Sequence, residues 1–89
     1  MKKVEKLKEE LKKEGFKKIK VEKDKPHVHY ALHLHPYNSA IIVLEGDLVI
    51  NRDNEDVELG EGDRIDIDIN EEHSAKVGPK GCKYIVAEK

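Results

Sequence analysis

Eighty-nine residues suffice for one domain and are too few for two, and a chain this short buries only a modest core. Charged side chains make up 40% of it, and the 17 Lys and Arg nearly balance the 19 Asp and Glu for a formal net charge of −2; that balance excludes the basic face a nucleic-acid partner wants. Apolar residues reach 37% with one Phe and no Trp, so the core must be aliphatic, and a metal, a homodimer interface or both are the expected extra support.

Residues 2–14 predict a short helix, because Val4, Leu7 and Leu11 recur at helical spacing. Glu5, Glu9 and Glu10 sit three or four residues before lysines, pairs worth ~0.2–0.5 kcal/mol each. Gly15 ends the helix and Phe16 packs back on its last turn. The expected role is an amphipathic cover on the outside of a sheet. No apolar segment follows the first lysines, so the N-terminus does not read as a signal peptide. No run approaches the ~18 residues of a membrane span. Ile19 and Val21 alternate with lysines, as in a half-buried edge strand, and Asp24 to Pro26 form a turn. From His27 to His35, alternation puts Val28, Tyr30, Leu32 and Leu34 on one face. His27, His29, Ala31, His33 and His35 take the other. A rise of ~3.3 Å per residue separates His29 from His33 by about 13 Å, too far to share a metal. His27 and His29 are therefore expected at a pocket mouth or on the surface.

Pro36 to Ser39 form a turn. Ala40–Leu44 and Leu48–Ile50 predict a hairpin through Glu45, Gly46 and Asp47. A polar turn over 52–56 leads to a short strand, Val57–Leu59. Glu61, Gly62 and Asp63 then turn the chain into a strand, Arg64–Ile69. Asn70 to Glu72 connect to His73, residues 78–81 form a last turn, and 82–87 a final strand on which Cys82, Tyr84 and Val86 share a face. Cys82 is the single cysteine, so no internal disulfide forms, which fits a reducing cytoplasm. The expected localisation is cytoplasmic and soluble. The Lys and Glu richness resembles that of proteins from heat-loving organisms. About six to eight short strands with turn signals roughly every 8–12 residues predict an all-β sandwich or barrel.

His33 and His35, two apart, point to one face of a strand, and His73 on a neighbouring strand completes a three-nitrogen metal site. This spacing resembles the cupin family. In its first motif, G(X)5HXH(X)3,4E(X)6G, His33 and His35 fill HXH and Gly46 the last glycine. In its second, G(X)5PXG(X)2H(X)3N, Gly62 opens the motif and His73 falls on its histidine. The chain departs from the pattern at His27 (glycine), Ser39 (the metal-binding acid), Asp68 and Asn70 (proline and glycine) and Val77 (asparagine). The resemblance covers roughly residues 15–89 and implies a small single-domain cupin of the RmlC-like jelly-roll type, with an N-terminal helix over 1–15 and a β-barrel over 16–89. It also implies a metal on His33, His35 and His73.

Three neutral imidazoles leave a divalent ion nearly its full charge. Without a carboxylate, they favour Zn, Ni, Cu or Fe over Mn. Ser39 is expected to hydrogen-bond a metal-bound water, and Tyr37 and His29 to stand near the pocket. The resemblance implies a metal-dependent enzyme, dioxygenase- or isomerase-like, acting on a small molecule. The alternatives are a non-catalytic metabolite- or sugar-binding module and a metal-stabilised structural dimer, because the fold alone decides no activity. No Ser-His-Asp order, phosphate loop or paired-carboxylate motif competes.

Overall fold

In the computed structural model, which describes residues 2–89, one helix precedes six strands. They are α1 (Lys2–Lys13), β1 (Lys18–Asp24), β2 (His29–His33), β3 (Ser39–Arg52), β4 (Glu55–Leu59), β5 (Arg64–Ile67) and β6 (His73–Glu88). Every strand pairing is antiparallel. Among the described residues no helix is long and apolar enough to cross a membrane.

Two expectations fail for one reason. Ala40–Leu44 and Leu48–Ile50 are not the arms of a hairpin but halves of the single strand β3, and residues 78–81 lie inside β6 instead of ending a strand. β3 and β6 pair from Ser39↔Glu88 to Arg52↔His73, with register shifts between Val43 and Glu45 and between Gly46 and Leu48. Bulges bend a strand and sharpen its twist, so both long strands fold over at their middles. Gly46 has φ +80°, and a Cβ there would overlap the Gly81 carbonyl oxygen. Glycine marks a turn and a bulge alike, which is why the local signal misled.

Folding over makes two layers of the barrel. The first halves of β3 and last half of β6 carry β5 and β1 (Ser39↔Ile67, Asp24↔Cys82). The other halves carry β4 and β2 (Leu48↔Leu59, His33↔His73). Between the layers pack Val43, Leu48, Ile50, Leu59, Ile65, Ile67, Val77, Cys82 and Tyr84. Cys82 thus faces inward. A second cluster lies outside, where Leu11 and Phe16 cover Ala40, Ile42, Ile85 and Ala87. The segments around Ile19 to Val21 and Ala40 to Leu44 are where the sequence leads one to expect a dimer surface, but both faces of this part of β3 are buried, the outer one under the chain's own helix. Ile19 packs into the same cluster.

The helix stops as its sequence requires. Gly15 takes φ +101°, and the Phe16 N–H donates to the Leu11 carbonyl at 3.1 Å, the return bond of a glycine cap. Arg64 of β5 grips Glu14 with both terminal nitrogens at 2.8 and 2.7 Å. The polar turn after β3 narrows to Asp53 and Asn54, with φ 52° and 62°, the two positive values a tight hairpin turn needs. β5 ends at Ile67, two residues before the expected boundary, because the chain leaves the sheet there and Ile69 is 53% exposed.

Candidate metal centre

The three histidines come from strand ends on one layer. His33 closes β2 and pairs in register with His73, which opens β6; His35 follows two residues later. One nitrogen from each ring lies within 4.8 Å of the others. Ring centroids are 4.3 Å apart for His33 and His73, 4.8 Å for His33 and His35, and 5.4 Å for His35 and His73. His73 is buried, and His33 and His35 are half-buried.

Each Nδ1 has a partner. That of His33 meets the Ala31 carbonyl and that of His73 the Glu71 carbonyl at 2.9 Å. A carbonyl only accepts, so both Nδ1 atoms carry the proton and both Nε2 atoms keep a lone pair. The His35 Nδ1 lies 3.1 Å from the Tyr37 hydroxyl, and donation to that oxygen frees the third Nε2. Such outer bonds orient metal-binding histidines. Burial, then the neighbouring His33 and His73, holds the His35 ring below the usual histidine range, so it is neutral and able to ligate at pH 7.

A clamp holds the loop before His73. Arg52 donates to both carboxylate oxygens of Glu71, at 3.0 and 3.2 Å, and to the Asp66 carbonyl at 3.0 Å. Glu71 also accepts the Asp68 N–H at 3.0 Å. The loop is stitched to the His35 segment by Asn70 N–H to the His35 carbonyl at 2.8 Å and Ile69 N–H to Asn38 Oδ1 at 2.7 Å. Sequence reasoning missed this clamp. The available signal was residue choice: Arg52 and Arg64 are the two arginines among 17 basic residues, and both make the two-pronged carboxylate pairs that lysine cannot.

A cavity of about 340 Å³ opens beside the histidines. Ser39, 6% exposed, lines it, and so does Tyr37, whose ring stacks on His35 at 4.9 Å. Ile41, Leu48, Ile50, Ile67, Ala75 and Val86 form an aliphatic wall, and Glu22, Tyr30 and Tyr84 complete the lining. His27 and His29 are exposed and outside it. The expected alternation along 27–35 breaks, because the β2 register shifts between Tyr30 and His33. Tyr30 therefore lines the same cavity as His33 despite its opposite parity. Both Tyr30 and Tyr84 donate to Asp24 Oδ2 at 2.8 Å. Burial, then Asp24, pushes the Tyr84 phenol above its ordinary range. Burial, with Asp24 and Asp47, pushes the Cys82 thiol up to about 11, which leaves it an inert core residue.

The cupin-domain family model matches residues 20–87. Among solved structures, a cupin-2 domain protein from Shewanella frigidimarina superposes with TM-score 0.69 at 25% identity, over 79% of this chain and 67% of that one. A predicted oxalate decarboxylase from Thermotoga maritima gives 0.73 at 22% identity, over 90% and 71%. A DMSP lyase from Ruegeria pomeroyi gives 0.73 at 18%, over 80% and 36%. The chain thus spans about two thirds of the length of several solved cupins and about a third of the lyase. No curated protein matches.

Proposed function

The chain belongs to the cupin family, and on that footing we propose that it holds one divalent transition metal on the Nε2 atoms of His33, His35 and His73 and presents it to a small molecule in the adjoining cavity. One observation carries the reading: three imidazoles converge within 4.8 Å while the Nδ1 of each is engaged by a neighbour. The donor set fits a borderline ion such as Zn, Ni, Cu or Fe better than Mn, since Ser39 supplies no carboxylate. The bound metal supplies Lewis acidity and lowers the pKa of a coordinated water. The protein's own residues supply the rest. Ser39 hydrogen-bonds a group beside the histidines, Tyr37 holds His35, and the aliphatic wall excludes water from the ligand's body.

Metal-dependent catalysis is the favoured activity within this reading. The non-catalytic binding module is the second, supported by the cavity lining: Glu22 is its one carboxylate among the described residues, leaving a sparse set of proton-transfer groups. Elemental analysis of protein purified without a chelating tag tests the metal. About one Zn, Ni, Cu or Fe per chain, lost in His73→Ala, is expected. Metal-free protein, or a metal retained by that variant, overturns it.

A further inference from the structure

We propose that the ligand of this cavity is a small organic cation, with an ammonium head at the Glu22, Tyr30 and Tyr84 end and an apolar body along the aliphatic wall. The proposal rests on the metal reading only for the opposite end of the ligand.

The argument is one of hydrogen-bond inventory. Asp24 Oδ2 takes the proton of both phenols, at 2.8 Å each. Burial keeps Tyr84 protonated well above neutral pH. Both hydroxyl protons are spent, so the side chains lining this end offer acceptors: the phenol lone pairs and the Glu22 carboxylate. Neither Glu22 nor Asp24 takes part in any of the four ion pairs of the described residues. Among the described residues no Lys or Arg lines the cavity. A carboxylate or phosphate meets only like charge and lone pairs at this end. An ammonium meets the Glu22 carboxylate and two phenol oxygens, with the Asp24 charge held directly behind them. Glu22 pairs with Tyr84 in register, and Tyr30 reaches across from β2 to β1, so the acceptors converge.

The test uses n-butylammonium, with butyrate and butanol as controls of the same length. Each is titrated into chelator-treated protein while NMR follows the Tyr30 and Tyr84 ring signals. Butylammonium is expected to shift both rings and to bind more tightly than either control. Glu22→Gln, a change at an exposed edge-strand position, is expected to weaken it about tenfold, the loss of one charge-assisted contact. No response to butylammonium, equal binding of a control, or unchanged affinity in Glu22→Gln overturns the proposal. His33→Ala separates the two readings: it is expected to lose metal yet keep butylammonium binding.

Discussion

Ser39 is buried beside the triad at the position where the family motif has its acid. Ser39→Glu is expected to add a negative ligand and raise the affinity ratio of Mn²⁺ to Zn²⁺, because a hard oxygen donor suits Mn²⁺. Titrating both ions into wild type and variant reads the ratio. An unchanged ratio with an intact triad would show that residue 39 does not reach the metal. A second residue argument concerns backbone. At all four glycines of the two family motifs this chain has positive φ: Gly46 at 80° and Gly62 at 90°, but also His27 at 64° and Asn70 at 60°. The left-handed region costs a residue with a Cβ roughly 1–2 kcal/mol, less for Asn, whose short side chain tolerates it. His27→Gly is therefore expected to stabilise the fold by up to ~1 kcal/mol, read as a higher denaturant midpoint.

Glycine works in the opposite direction where the two long strands bend. The overlap at Gly46 is with backbone of Gly81, which cannot rotate away, unlike a side chain. Gly46→Ala is expected to cost at least about 2 kcal/mol and to loosen the packing of Leu48 and Cys82 on either side of the bend. Equilibrium unfolding measures it, and a neutral effect would mean that the bulge relaxes freely. The same bend gives β1 and β2 their roles. Each pairs only with β6, so both are edge strands, yet Tyr30 and Asp24 join them side by side across the cavity.

Across the whole molecule, the free edges and the exposed Val21, Leu32, Leu34 and Ile69 are the surfaces that a second copy can cover. A homodimer is expected, seen in sedimentation as twice the 10.2 kDa chain mass; the single-chain mass at micromolar concentration would contradict it. Stability should also follow pH. His35 is held below its ordinary range in the folded chain, so as pH falls through ~6.5 the unfolded chain takes up this proton first. Metal-free protein should lose stability from there down toward the folded-state pKa, and His35 should add no pH dependence above ~6.5. Protons also compete with metal for the same nitrogens. Thermal melts in chelator at pH 7.5 and 5.5 test this. An equal midpoint at both would rule out the His35 contribution.

Short-range periodicity was enough to expose the helix, the all-β character and the shared face of His33 and His35, because each depends on which face a residue takes within a few positions; His73 was placed by the motif spacing of the family resemblance. The same information could not tell a bulge at Gly46 from a turn, since both ask only for positive φ. It could not bring Asp24, Tyr30 and Tyr84 together either. Their meeting depends on how β6 folds over and which half each edge strand joins, and register between distant segments is settled by burial of the whole core. The charge of the cavity was decided there, while the three histidines of the candidate metal site were already written in their spacing.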